Sequence, residues 1–196
     1  MPEGGRHAPV LIATSWQALN RALTEGPETR LCNCTVVVLF AGFYLEANLN
    51  HIAEQLHLEA QMKRLLNQKH PGLQDKLAWF YNEFVAPSKA ANRTALFESG
   101  ITGKLRRRFP GFARLYRFRN DLSHGVVNKS ARSIAEAKRL REQAKQIASE
   151  LFGILEKRGY EVRRDMTYYE AITGSTEPPN NGLQPTPAGG MMSRRG

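Results

Sequence analysis

The chain has 196 residues, of which 41% are hydrophobic, and carries 28 Lys and Arg against 18 Asp and Glu, a formal net charge of +10. That length accommodates one domain with a buried core, and the positive charge favours a polyanionic partner, with nucleic acid ahead of an anionic membrane. Cys32 and Cys34 would point apart on a helix, so we predict two buried free thiols and exclude a fold held by disulfides.

Two features of the first 45 residues bear on location. Residues 1–9 contain Glu3 and two glycines where a secretory leader would have an apolar core. The longest apolar run, 35–45, is shorter than the roughly 18 residues that span a bilayer. We therefore expect a soluble, cytoplasmic protein with no membrane partner.

Proline and glycine positions, together with apolar spacing, predict helices and almost no strand. The predicted helices are 10–23, 28–60, 73–85, one that follows Pro110 as a first-turn residue and ends near His124 with Gly125 as its cap, and one from Ser130 or Ser133 to about 158. A loop is expected between Pro87 and Pro110.

Two apolar stripes predict how these helices pack. The third helix repeats apolar residues at 4-3-4 spacing and the fifth alternates spacings of 3 and 4. The stripes are Leu73, Leu77, Phe80 and Phe84, and Ala137, Leu140, Ala144, Ile147, Leu151 and Ile154. The predicted fold is all-α, an up-and-down bundle of four to five helices over 8–170.

The C-terminal composition changes to Gly, Pro, Asn, Ser and Thr, which cannot bury enough apolar surface to offset the entropy of ordering. We predict a disordered tail over 171–196. The segment 160–171 can be read as a strand, a helix or a packed arm.

The strongest compositional feature is a basic stretch with no acidic residue between Glu98 and Asp121. Aromatic residues Phe109, Phe112, Tyr116 and Phe118 are interleaved with its charges. The candidate RNA-binding residues are Lys104, Arg106, Arg107, Arg108, Arg114 and Arg117. The alternative for these charges is a solvated basic face over a core of aromatic side chains.

The basic stretch leads into a compact polar group, Arg119, Asn120 and His124. Asn120 and His124 are four residues apart and share a helix face, and the long Arg119 side chain could reach round the helix end towards the imidazole. Arginine binds phosphate in a bidentate manner and histidine transfers protons near neutrality. The pair fits cleavage of an RNA backbone, where a 2′-hydroxyl loses its proton and charge develops on the phosphate. The alternative is a helix end with a favourable histidine and a solvated arginine.

The sequence Arg119-Asn120-x-x-x-His124, on a late helix of a basic helical chain, resembles the R-x(4 to 6)-H motif of the HEPN superfamily, which includes metal-independent RNA-cleaving toxins and antiphage effectors. The resemblance implies a homodimer whose two Arg/His pairs face one cleft. It implies that Arg119 contacts the phosphate, His124 acts in acid/base chemistry and Asn120 supports them. An antitoxin or sensor partner is compatible with it, but Val126 stands where members silenced by nucleotidylation carry tyrosine.

Glu46 and Asn50, one turn apart beside the apolar run, strengthen the resemblance. Buried, they would need partners, and we hypothesise that Glu46 orients Arg119. The alternative places both on the solvent edge.

Three other motifs fail on spacing. Glu54-x-x-His57 is one copy where a di-iron bundle needs two. Gly100 and Gly103 are too close for a phosphate loop, and Ser123 beside His124 is no triad. We predict no metal and no cofactor. Besides a ribonuclease, the sequence admits a non-catalytic HEPN-type module that binds RNA or a protein partner, and a helical DNA-binding regulator.

Overall fold

A computed structural model describes residues 7–125 and 133–163. The helices are α1 (His7–Thr24), α2 (Pro27–Gln55), α3 (Glu59–Leu66), α4 (Leu73–Phe80), α5 (Arg93–Glu98), α6 (Ile101–Arg108), α7 (Phe112–Ser123) and α8 (Ile134–Lys157), with a π-helical turn, Tyr81–Val85, continuing α4. No strand occurs in these two ranges, so the predicted all-α bundle is confirmed. The proposed tail, 171–196, and the segment 164–171 lie outside the described residues.

Helix α2 is the centre of the bundle, and α1, α4, α7 and α8 all pack against it. Leu45, Leu49 and Ile52 on this helix are completely buried. Small residues on α1 allow a close approach, and the buried Ser15 hydroxyl donates to the Val37 carbonyl at 2.9 Å. Because these four helices pack against it, α2 is the element that positions most of the side chains in the core.

By length and composition, one helix in the described ranges, α2, could also cross a membrane; its most apolar 18 residues have a mean hydropathy of 1.4. Within that stretch 39% of the residues are buried inside the protein. Asn33, Asn48 and His51 on the same helix are buried polar residues. These polar groups and the surrounding helices favour a core helix over a membrane span.

Both predicted apolar stripes face the core. Leu73, Leu77, Phe80 and Phe84 are buried, and on α8 all six predicted residues but Ile154, which is half-buried, are buried. Ser133 is the N-cap of helix α8, and its hydroxyl accepts a hydrogen bond from the Glu136 amide at 3.2 Å. The 3.6-residue period thus predicted the packing faces correctly.

Several boundaries were predicted wrongly. The second helix ends at Gln55, and α3 follows as a separate helix after His57, which adopts a left-handed φ of 55°. The predicted loop between Pro87 and Pro110 contains α5 and α6. Pro110 is not in the first turn of α7 as predicted. It lies in the turn before that helix, whose N-cap is Gly111 at φ 88°.

The chain beyond α8 is anchored to the end of α2. The Gln55 side chain accepts the Arg163 amide at 2.9 Å and donates to the Arg163 carbonyl at 2.8 Å. Tyr160 makes an edge contact with Phe84, with ring centroids 5.4 Å apart. Residues 160–163 are in neither helix nor strand and form a packed arm, with Val162 against the core.

The two thiols differ in environment: Cys34 is buried as predicted, but Cys32 is exposed. Burial raises the pKa of the Cys34 thiol, and nearby Arg30 partly offsets this.

We expect a thiol reagent at pH 8 to label Cys32 at least 10-fold faster than Cys34, as measured with Cys32→Ser and Cys34→Ser. Because the folded protein holds the Cys34 proton more tightly, this thiol's contribution to the free energy of unfolding is present below its ordinary pKa and declines as pH rises above it. Equal labelling rates would contradict the assigned burial.

Candidate functional site

The polar group of the basic stretch lies at the C-terminal end of α7. The His124 amide donates to the Asn120 carbonyl at 3.0 Å, and Gly125, at φ 73°, ends the helix as predicted. His124 is exposed, while Arg119 and Asn120 are half-buried. In the described residues no hydrogen bond or ion pair joins Arg119 to His124, so the predicted convergence of the two side chains is not seen in a single copy of the chain.

Arg119 instead lies against α2. Its guanidinium carbon is 5.2 Å from the centroid of the Phe43 ring, a cation–π contact, and its side chain is 20% exposed. Gly42 makes this approach feasible, because a Cβ added there would stand 3.0 Å from Arg119 Cγ. The arginine is therefore positioned by packing as well as by charge.

Gly42→Ala is expected to lower the free energy of unfolding by about 1 kcal/mol, since the new methyl group must displace the Arg119 side chain. Gly153→Ala on α8 is the matched control, because no atom lies within 4 Å of its added Cβ. The control should raise stability by about 0.5–1 kcal/mol through helix propensity. Urea unfolding measures both, and equal gains for the two variants would show that Gly42 is not in tight contact with the arginine.

Glu46 bridges two cations from different helices. Its Oε1 accepts from Lys76 Nζ at 2.7 Å and its Oε2 accepts from Arg119 Nη2 at 3.4 Å. The Lys76 side chain is only 8% exposed and Glu46 is 21% exposed. The shorter and more buried contact is with Lys76, so Glu46 primarily neutralises the lysine and secondarily holds the arginine.

The Arg119 guanidinium keeps unused hydrogen-bonding capacity. Nη1 donates to Asn120 Oδ1 at 3.2 Å, and Nε is buried with no partner among the described residues. Both contacts to Nη atoms are long for charge-assisted bonds. The guanidinium is held in place while part of its hydrogen-bonding capacity stays unused, which suits a side chain that also binds an anion.

The remaining predicted residues divide by what they contact. Arg108 pairs with Glu150 at 3.0 Å, and Arg114 pairs with Glu136, so both tie this region to α8. Lys104, Arg106, Arg107 and Arg117 form no ion pair in the described ranges, and the last three are exposed. Four of the six predicted RNA contacts therefore carry uncompensated charge.

Asn50 lies apart from the arginine. It is half-buried and lines a depression of about 390 Å³ with Glu46 and Lys76, on the side of α2 that faces α3. No group of three or more His, Cys, Asp or Glu residues within 7–125 and 133–163 is arranged to hold a metal ion. In particular Glu54 lies on α2, whereas the exposed His57 is in the turn beyond it.

The sequence analysis missed three contributors to this site: Gly42, Phe43 and Lys76. Lys76 carries a usable signal, since it lies three residues after Leu73 and four before Phe80, within the apolar face of its helix. A lysine there requires a buried carboxylate partner. Gly42 and Phe43 show no such pattern within the apolar run.

Comparisons of the chain with protein-family models, with curated proteins and with solved structures found no match. The case for function therefore depends on the residues of the site and on the motif.

Proposed function

We propose that this protein is a metal-independent endoribonuclease of the HEPN type, acting at a composite site in a homodimer. The observation that carries the proposal is the placement of Arg119, which Glu46 and Asn120 hold while other donors stay unused within the described ranges. It lies on the same helix as Arg117, which is unpaired in the described part of the chain, and five residues before the exposed His124. A role in toxin action or antiphage defence, under an antitoxin or sensor partner in the cytoplasm, is part of the proposal and follows from the motif alone.

The chemistry assigns one task to each side chain. An imidazole removes the proton of an RNA 2′-hydroxyl, and the resulting oxygen bonds to the adjacent phosphorus. Arg119 binds the phosphate oxygens as negative charge accumulates on them. The bond from phosphorus to the 5′-oxygen then breaks, and that oxygen takes up a proton. The products are a 2′,3′-cyclic phosphate and a 5′-hydroxyl, with no net consumption of acid or base.

A dimer supplies the second proton-transfer group that one chain lacks. The reaction needs one group to accept a proton and another to donate one, and each copy contributes a single His124. An aromatic pair on the outer face of α2, Phe40 and Phe43, supports this arrangement, with ring centroids 6.0 Å apart. Neither ring belongs to the core that the described residues form, and Phe43 directly adjoins Arg119.

Phe40→Glu is expected to weaken dimerisation by about 100-fold or more, because it places a charge at the centre of the proposed apolar contact. It leaves the Phe43 contact to Arg119 in place. Val10→Glu, at a 47% exposed position on α1, is the control and should stay dimeric. Light scattering over a concentration series measures both. A wild-type protein that cleaves RNA as a strict monomer would contradict the composite site.

The proposal as a whole is tested by incubating the purified protein with end-labelled RNA in EDTA, with Arg119→Ala and His124→Ala in parallel. The expected result is cleavage by the wild type alone, leaving cyclic phosphate ends. Retained cleavage by both variants would refute the assignment.

The alternative is a non-catalytic module that binds RNA or a protein through the same basic face. The separation of His124 from Arg119 within one copy favours it. Measurable RNA affinity without cleavage by the wild type would select this alternative. Salt-sensitive binding to duplex DNA with a sequence preference would instead indicate a DNA-binding regulator.

A further inference from the structure

A groove of about 300 Å³ lies between α6 and α7, beside the Arg119 motif. Its walls include Gln74, whose amide contacts the Thr102 hydroxyl at 3.5 Å across the groove edge. Asn120 also lines it while accepting the Arg119 guanidinium at 3.2 Å. Asn120 therefore links the groove to Arg119, the arginine proposed to bind phosphate.

The groove contains an aromatic platform. Tyr116 is half-buried and stacks on Phe112, with centroids 5.7 Å apart and planes 27° from parallel. Phe112 is only 3% exposed, so the tyrosine ring has a rigid support. A supported ring at the wall of a groove is the usual element on which an unpaired base stacks.

Cations flank the platform. Arg106 and Arg117 both line the groove, both are exposed, and neither forms an ion pair among the described residues. Arg106 comes from α6 and Arg117 from α7, so both helices that border the groove supply a cation for backbone phosphates.

Asp121 is the only carboxylate among the side chains that line the groove, and it has no hydrogen-bond partner in the described ranges. Two considerations make its presence costly. It repels a polyanion, and it lies in the last turn of α7, where the helix dipole disfavours negative charge. Asp121 is half-buried, and both of its carboxylate oxygens are free of protein partners in the described ranges, so they can accept hydrogen bonds from a ligand in the groove.

We propose that this groove is a subsite for a guanine base of single-stranded RNA. Tyr116 stacks on the base, Arg106 and Arg117 bind the flanking phosphates, and Asp121 accepts from the N1 and N2 donors of the guanine Watson–Crick edge. Guanine alone among the four bases presents two adjacent donors there, matching the two carboxylate oxygens. The inference rests on the proposed RNA-directed function and adds its base preference.

The test uses His124→Ala in the full chain, so that cleavage does not interfere, and fluorescent ten-nucleotide RNAs of uridine with a single central G, A, C or U. We expect the G oligonucleotide to bind about 10-fold more tightly than the others. Adding Asp121→Asn should abolish that preference while uridine RNA still binds, and adding Tyr116→Leu should weaken all four by roughly 10-fold. Glu98→Gln, at an exposed carboxylate on α5, is the matched control and should keep the preference.

The outcomes separate this inference from the proposed activity. Equal affinity for all four RNAs, or a guanine preference that survives Asp121→Asn, overturns the guanine subsite even if the wild type cleaves RNA. A guanine preference removed by Asp121→Asn, in a protein whose wild type does not cleave, supports the subsite and rejects the nuclease. Failure to bind any of the RNAs rejects both.

Discussion

His124→Ala is expected to lower the single-turnover rate of RNA cleavage by about 10²–10⁴-fold, the range of a lost general acid or base. The RNA dissociation constant should change by no more than about 2-fold, because the His124 side chain is exposed and forms no hydrogen bond or ion pair with the described residues. The rate is measured with excess enzyme in EDTA, and the affinity by fluorescence anisotropy on an uncleavable 2′-O-methyl RNA.

Arg119 variants provide the contrast. Arg119→Ala should reduce both the rate and the affinity, since a phosphate contact contributes to binding as well as to charge stabilisation. Arg119→Lys keeps the charge but loses the planar fork, so it should restore affinity more than rate. A loss of folding stability in His124→Ala, in place of the rate effect, would point to a structural role for the histidine.

Glu46→Ala is expected to lower the free energy of unfolding by about 2–4 kcal/mol. The substitution leaves Lys76, whose side chain is 8% exposed, without its carboxylate, and uncompensated buried charge is the most costly result of breaking an ion pair. Lys76→Met should cost less, because an apolar side chain of similar size fills the site and Glu46 retains Arg119. Urea denaturation gives both values.

Arg139→Ala provides the reference for an exposed pair. Its side chain is 53% exposed and lies 3.9 Å from Glu136, so its loss should change stability by no more than about 0.5 kcal/mol. If Glu46→Ala falls in the same range, Glu46 does not neutralise a buried lysine.

The parts of the fold that were predictable are those in which local periodicity determines burial. The stripes on α4 and α8 were identified correctly because one face of each helix meets the core over several turns. The short helices α5 and α6 were missed because Ala, Asn and Ser around them suggested a loop, although Asn92 is a standard N-cap whose side chain accepts the Ala95 amide at 3.0 Å.

Contacts within the site were predictable only where a charged side chain would be costly to bury without a partner. A carboxylate beside an apolar run indicated that Glu46 needs a cation, and the structure places it against Arg119. That Lys76 is the nearer cation, and that Arg108 and Arg114 are held by carboxylates of α8, depends on tertiary packing. The spacing of Lys76 within its helix indicates that it needs a carboxylate but does not identify Glu46, and the spacing of Arg108 and Arg114 does not identify their partners either.

The most direct test of the proposed site compares one RNA with its counterpart that carries a single 2′-deoxyribose at the mapped cleavage position, using the wild type and His124→Ala in EDTA. We predict that the wild type cuts the RNA to a cyclic phosphate, leaves the substituted position intact, and loses the cut when His124 is replaced. Cleavage at the 2′-deoxy position, or undiminished cleavage by His124→Ala, would contradict a mechanism that depends on 2′-hydroxyl attack at this site.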